Sequence, residues 1–559
     1  MRASVKKKIL IFCLIIASFT AAFFGGRSIL AWHIKNKIEQ QVYKLRDAGY
    51  VVSYDSITVD WKTNSIHVYR FSVKNAIDST LCRQENVISA NFIAGHGLNL
   101  RSLLVKRHLS FDKLVLDSPR IAINEKTFIK DSTKRRTRDF VIFVKTIVLP
   151  SLQVDYFDSR SCKAGSGYIE TASIRDFKLA FYTDQPLFLD VRSFEADSIT
   201  IRIPHEFYTI TIRAIAFKPS LGTFDLDSMK IMPQYDKVAF GRKKGFEIDR
   251  IEGTIPYINL SGLKISRGDS LTVSATTFTT QMFLRVFRDK RLPFKRKYKN
   301  LPIQALNNLP VGVSIKTLLV NKSYIAYEEH VDDADSSGSV YFDNLYATIR
   351  NINNTDYTRR GKTILVAHAD FMGQGDVRVR AICPWNTNIR QRVRGTVRNL
   401  DMKKLNQMLE PIVQLRVESG HLKQLSFDFT SGPVHSRGKV ELDYSGLKLL
   451  SFKDQDRVEK ILKRKNRRSA NQDPDDPKLR KAALKTFLIN TFIIRKKIDD
   501  HHVDDKRTGA INFERDQARS VFNYWWKSVF TGVKSAYNIE KVQDSKLTKL
   551  LKKKHKGEP

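Results

Sequence analysis

Apolar and polar positions alternate with a period of two over most of this chain. Ile57-Thr-Val59-Asp-Trp61, Ile66-His-Val68, Ile199-Thr-Ile201-Arg-Ile203, Ile210-Thr-Ile212 and Val377-Arg-Val379-Arg each put apolar side chains on one face and charged or hydroxyl side chains on the other. Leu425-Ser-Phe427-Asp-Phe429 and Val440-Glu-Leu442-Asp-Tyr444 repeat the pattern. Strands with one wet face read this way, most often in antiparallel sheets. Turn residues such as Pro119, Pro150, Pro204, Pro219, Pro233, Gly262 and Gly268 separate them. About twenty-five such strands fit before residue 450, more than one twisted open sheet usually carries without curling. The pattern predicts a mainly β, antiparallel fold over residues 33–450 whose sheet must curl, split or form a long trough. Short helical interruptions are predicted at Thr280–Asp289 and Met402–Leu409, and an acidic loop at Asp332–Ser339.

The two ends break the alternation. Lys6, Lys7 and Lys8 precede an unbroken apolar run from Ile9 to Phe24. A helix through Ile9–Ala31 rises about 30 Å, the thickness of a hydrocarbon core. Residues 1–32 are therefore expected to form a single transmembrane anchor. The competing reading is a cleaved secretory signal with Thr20 and Ala22 as its small-residue site, but the apolar run continues into Phe23 and Phe24. One span leaves the bulk of the chain on one side, and the expected location is the inner membrane with that bulk in the periplasm. Ile34, Ile38, Val42 and Leu45 continue at helical spacing to a stop at Gly49.

Beyond residue 450 the composition shifts to a basic helix and linker over 451–480, Pro-broken through Arg464–Lys478. Residues 481–559 are expected to hold a closing hairpin, Thr486–Ile494 with Gly509–Glu514, then a helix over Arg519–Tyr537 and a basic tail, Lys546–Lys556. On that helix Phe522, Trp525, Trp526, Val529, Phe530, Val533 and Tyr537 share one face by spacing, and Asn523, Lys527, Ser528, Lys534 and Ser535 take the other. The aromatic stripe fits two roles equally: an amphipathic helix at a membrane interface, or a cap on the end of the groove.

A net charge of +38 over 559 residues would ordinarily point to nucleic acid. A location across the membrane removes that partner and makes anionic phospholipid head groups, or other acidic envelope polymers, the natural counterions. Four cysteines, one inside the apolar run, allow neither a disulfide framework nor a zinc cluster. Asp499 to Asp505, with His501 and His502 between, is the one metal-like cluster, and its place at a hairpin tip reads better as a solvated loop. No nucleotide loop, nucleophile elbow or HExxH motif occurs. The expectation is a protein with no catalytic residue, no metal and no cofactor.

Three stretches carry a resemblance. The anchor and short helix run into Gly49-Tyr-Val-Val-Ser-Tyr-Asp-Ser-Ile-Thr-Val-Asp-Trp61. A late block reads Gly395-Thr-Val-Arg-Asn-Leu-Asp-Met-Lys-Lys-Leu-Asn406, followed by Val417-Glu-Ser-Gly420-His-Leu422 and Gly438-Lys-Val-Glu-Leu-Asp-Tyr444. The closing hairpin leads to the Tyr-Trp-Trp helix. In these features the chain resembles the AsmA-like family of envelope proteins, related to TamB- and YhdP-type lipid-transport bridges. The resemblance implies a long curled antiparallel sheet forming an apolar groove whose concave face holds acyl chains, and hence lipid binding or transfer in support of outer-membrane lipid homeostasis or assembly. Membrane phospholipids and envelope assembly proteins are the implied partners. Candidate lipid-lining positions are Ile57, Val59, Trp61, Leu425, Phe427 and Phe429. The alternative is a non-catalytic envelope scaffold that docks protein partners through the C-terminal helix.

Overall fold

The computed structural model describes residues 50–60, 63–75, 86–99, 101–102, 108–124, 140–157, 165–181, 188–267, 271–332, 334–356, 358–413, 415–451 and 505–536. The expected anchor (1–32), Trp61, the basic helix and linker (451–480), Thr486–Ile494 and the Asp/His cluster at 499–504 lie outside them. Among the described residues no helix is long and apolar enough to cross a membrane. The fold is mainly β, as the alternation predicts. The chain divides into two compact units, one ending at Leu221 and the other starting at Gly222.

Unit 1 contains β1 (Tyr50–Ser53), β2 (Ser56–Asp60), β3 (Ser65–Asn75), β4 (Asn86–His96), β5 (His108–Asp117) and β6 (Arg120–Asn124). It continues through β7 (Phe140–Phe157), β8 (Gly165–Phe181), β9 (Phe188–Asp190), β10 (Ser193–Ile203) and β11 (Tyr208–Lys218). Most neighbours are antiparallel, but β7 runs parallel to both β5 and β6. Unit 2 contains β12 (Thr223–Pro233), β13 (Asp249–Ser261), β14 (Lys264–Arg267), β15 (Leu271–Asp289), β16 (Gly312–His330) and β17 (Gly338–Asn353). Then come β18 (Lys362–Phe371), β19 (Gly375–Pro384), β20 (Gln391–Asp401), β21 (Leu415–Ser431), β22 (His435–Ser451) and β23 (Asp505–Glu514). Here β15 and β16 are parallel, joined by a crossover that holds a short helix, α2. The sheet is thus mixed, a correction to the wholly antiparallel expectation. Parallel neighbours need a long return of the chain, and the crossover between Asp289 and Gly312 supplies one.

Among the described residues four α-helices belong to unit 2: α1 (Lys237–Lys244), α2 (Pro302–Asn307), α3 (Asn406–Val413) and α4 (Val521–Ala536). The predicted interruption at Met402–Leu409 is present as a 3₁₀ turn, Met402–Leu405, running into α3. Asp401 caps it by accepting from the Lys403 amide. The other, Thr280–Asp289, is instead the second half of β15. The register of β15 against β16 shifts between Thr280 and Phe283. The amide of Met282 donates to Ser323 Oγ, and Thr280 Oγ1 donates to the Tyr257 carbonyl. Such an irregularity moves the apolar phase by one residue, so that Phe278, Met282, Phe283, Val286 and Phe287 mimic helical spacing while remaining extended.

The same device recurs in unit 1. Ser151, Asp176 and Ser198 sit within β7, β8 and β10 with φ of 53°, 49° and 53°. Across each, apolar positions step by three instead of two, as in Ile174 to Phe177 and Ala196 to Ile199. Left-handed backbone inside a strand costs energy for a non-glycine residue but bends it, and a bend is what a long curling strand requires.

Candidate functional site

In unit 1 the register lines up apolar side chains across eight strands. Val59 pairs with Ile66, Ile66 with Gly95, Gly95 with Leu114 and Leu114 with Ile147. Ile147 pairs with Ile174, Ile174 with Phe194 and Phe194 with Phe217. This ribbon has one gap, at Gly95, and the Phe111 ring fills it so closely that a Cβ there would lie 2.7 Å from the ring. Ile66 and Ile147 are buried, while Val59, Leu114, Ile174, Phe194 and Phe217 remain half-buried. Ile57 and Val59, both lipid-lining candidates, pack at the rim of the cluster formed by Ile66, Leu98, Phe111, Val144 and Ile147. Among the described residues of this unit no α-helix of a turn or more lies over the ribbon.

In unit 2 one equivalent row is largely covered, and the next is covered only over β22 and β23. Leu365, Ala381, Val393, Phe429, Gly438 and Ile511 form one row across β18–β23. Ala367, Val379, Gly395, Phe427, Val440 and Gly509 form the next. Leu425 lies in the row beyond, between Val397 and Leu442. Phe429 is 1 % exposed, whereas Phe427 and Leu425 are half-buried against the same cluster. Gly395 leaves room for the Phe427 ring, which a Cβ would strike, and a Cβ on Gly438 would strike the chain at Asp428 and Phe429.

The helix α4 supplies much of that cover, by a face that spacing alone misassigns. Tyr524, Ser528, Gly532 and Ala536, four residues apart, are the buried positions. Ser528, expected on the polar side, is fully buried with its Oγ 2.7 Å from Ser436 Oγ and donating to the Tyr524 carbonyl. The reason is close approach: a Cβ on Gly532 would come 2.5 Å from Val440, so small residues let the helix backbone settle onto β22 and β23. Tyr524 donates to the Gly432 carbonyl, and burial pushes its phenol up to about 12. The aromatic stripe is thereby divided. Trp525, Val529 and Val533 pack on the sheet cluster. Phe522 and Trp526 are 49 % and 51 % exposed. Trp526 stacks on Phe530, over which Lys534 sits at 5.2 Å, and Phe522 meets Phe342 edge-on.

Sequence reasoning missed the ionic clasp that brings α4 home. Glu247, just before β13, is buried between Arg288 and Arg519 and accepts from both. Arg519 stacks on Phe294 at 3.6 Å, and Arg515 donates to the Lys299 carbonyl. A residue leading into β13 is thus tied to one leading out of β23, so the strand array of unit 2 curls back on itself. Nothing in the local pattern at 247 or 519 marks the pairing, which spans 272 residues.

The exposed side of β18–β21 holds a second feature. An open concavity of about 680 Å³ is lined by Val366 and His368, Arg378 and Arg380, Arg394 and Thr396, and Ser426, around the row Ala367, Val379, Gly395 and Phe427. The next inward side chains, Leu365, Val377, Val393 and Leu425, take no part in its lining, so it opens on the polar face. Arg392 donates to both oxygens of Asp428 and holds its carboxyl below the usual carboxylate range.

Activated chemistry is sparse. Burial pushes the Cys383 thiol up to about 11, which leaves it protonated and unreactive. Among the described residues no group of three or more His, Cys, Asp or Glu side chains is placed to hold a metal ion. The arrangement offers apolar area, ring faces and guanidinium groups. No protein-family model matches the chain, and no curated protein matches it in sequence.

Proposed function

We propose that this is a non-catalytic lipid-binding or lipid-transfer protein of the cell envelope, anchored in the inner membrane, whose uncovered apolar sheet face holds acyl chains. The observation that carries the reading is the unit 1 ribbon from Val59 to Phe217: in register over eight strands, half-buried, and without helical cover among the described residues. Apolar area of that extent left to water is costly, at about 25 cal/mol per Å², and an acyl chain removes the cost without a polar partner. The resemblance to AsmA-like proteins points the same way.

The test is extraction of lipid from the purified full chain followed by mass spectrometry. Phospholipid should co-purify, and Leu114→Asn with Ile174→Asn should lose it while the melting behaviour of unit 2 is kept. A lipid-free chain that takes up none from vesicles would sink the reading.

A scaffold role has one observation in its favour, the exposed pair Phe522 and Trp526 on α4. If that face docks a protein, Trp526→Ser abolishes partner capture and leaves co-purified lipid unchanged.

A further inference from the structure

The exposed side of β18–β21 carries charge that its own ladder does not balance. Arg380 and Arg394 are directly opposed on neighbouring strands. Like charges so placed destabilise a sheet. Arg394 and Arg392 both reach one carboxylate, Asp428, and Arg378 meets only Asp376 of its own strand. The Arg380 side chain has no ion pair or hydrogen bond among the described residues. Some exposed strand cations are matched singly, as in Arg175 with Glu195 and Lys439 with Glu441. Arg378, Arg380 and Arg394 instead gather at the rim of the open concavity of about 680 Å³, whose lining holds no carboxylate.

Apolar groups are interleaved with it. Val366, paired with Arg380, is 48 % exposed. Tyr346 is 37 % exposed and stacks on His368, the cross-strand partner of Arg378. Arginine matches phosphate oxygens in a bidentate fork, and aliphatic or tyrosyl groups beside it suit the head-group region of a bilayer. A soluble polyanion would satisfy the arginines but gain nothing from Val366 and Tyr346.

We propose that this face docks onto a leaflet rich in anionic phospholipid, with Arg378, Arg380 and Arg394 gripping lipid phosphates and Val366 and Tyr346 seated among the head groups. The proposal rests on the lipid reading above and adds where the protein meets a membrane other than through its N-terminal segment. It also accounts for the Arg380–Arg394 opposition, a standing cost that a bound leaflet offsets.

The experiment uses the full chain in nanodiscs of neutral phosphatidylcholine, exposed to vesicles of phosphatidylglycerol and phosphatidylcholine in equal parts, or of phosphatidylcholine alone. Capture of the anionic vesicles only, weakening with salt, is expected. Arg380→Gln with Arg394→Gln should lower it roughly tenfold or more. Removing three tail charges, Lys552→Gln, Lys553→Gln and Lys554→Gln, should change it far less. Val366→Ser with Tyr346→Ser should weaken vesicle capture yet leave binding of inorganic polyphosphate unchanged. Arg380→Gln alone relieves repulsion and breaks no pair, so it should melt no lower than the parent and keeps the test readable if the double variant is unstable. Parent-like capture by the arginine variants overturns the proposal. So does an equal loss from the tail variant, or a site that polyphosphate fills and the Val366 and Tyr346 changes do not affect. Co-purified lipid in the arginine variants should match the parent, which separates a failure of docking from a failure of lipid binding.

Discussion

The two units are built from the same alternating strands, yet one leaves its apolar ribbon half-open and the other encloses the core of one row. In unit 1 five of the eight ribbon positions, Val59, Leu114, Ile174, Phe194 and Phe217, keep part of their surface accessible. In unit 2 Ala381, Val393, Phe429 and Val440 are at most 1 % exposed, in a cluster that α4 side chains join. Alternation decides which side chains face one way. The segments between and after the strands decide whether that face becomes a core or a surface. Ile57 and Phe429 look interchangeable in sequence, both apolar members of alternating strands, and differ because only the second lies in rows that α4 covers.

The largest expected effect tests this difference. Phe429→Ala should cost about 4 kcal/mol, because a fully enclosed ring leaves a cavity its neighbours only partly fill. Ile174→Ala, at a half-buried ribbon position, should cost only about 1 kcal/mol. Denaturant unfolding of the full chain, with one transition assigned to each unit, measures both. If Ile174→Ala proves as damaging as Phe429→Ala, the unit 1 ribbon is itself a packed core and the contrast collapses. If lipid addition raises the stability of unit 1 and leaves unit 2 unchanged, the contrast becomes functional.

A second expected effect concerns the clasp. Glu247 is buried between two guanidinium groups, and Glu247→Ala leaves Arg288 and Arg519 without their shared acceptor. A loss of about 3 kcal/mol is expected from breaking such a buried set. Glu195, paired with Arg175 at the surface, should change stability by under about 0.5 kcal/mol when replaced by Gln. Protease sensitivity of α4 should rise in the first variant only. An intact α4 in Glu247→Ala would mean that the small-residue seam at Ser528 and Gly532 holds the helix unaided.

Much of this was legible in the sequence. The alternation revealed the β class, the 3₁₀ turn and helix near Met402, the strand at Gly509–Glu514 and the C-terminal helix, because each depends on local period and capping. What was hidden depends on contacts across the chain. Gln281 and Met282 read as helix because a register shift displaced the apolar phase by one residue. Ser528 read as solvent-facing because its burial depends on Ser436 and on the absence of side chains at Gly509 and Gly532. The Arg380–Arg394 opposition was present as the alternating arginines of two segments, but it became a feature only when register set one directly across from the other.

The smallest expected effect lies on the exposed side of unit 2 and depends on pH. The hydrogen bonds from Arg392, aided by the charges of Arg394 and Lys439, hold the Asp428 carboxyl below its ordinary value. A carboxyl whose pKa is lower folded than unfolded contributes stability that is fully present above the unfolded value, about 3.9 for Asp, and is lost as pH falls through the folded one. Asp428→Asn should therefore be less stable than the parent at neutral pH, and the two should converge in acid below the unfolded pKa. The margin is small because the carboxylate is a third exposed and solvent screens the pair. In unit 1 Arg192 and Asp176 form a single exposed pair, so Asp176→Asn should change stability by under about 0.5 kcal/mol. Should Asp428→Asn show no pH-dependent gap at all, the arginines of that face do not depend on Asp428 for balance, and its positive surplus is larger than the ladder implies.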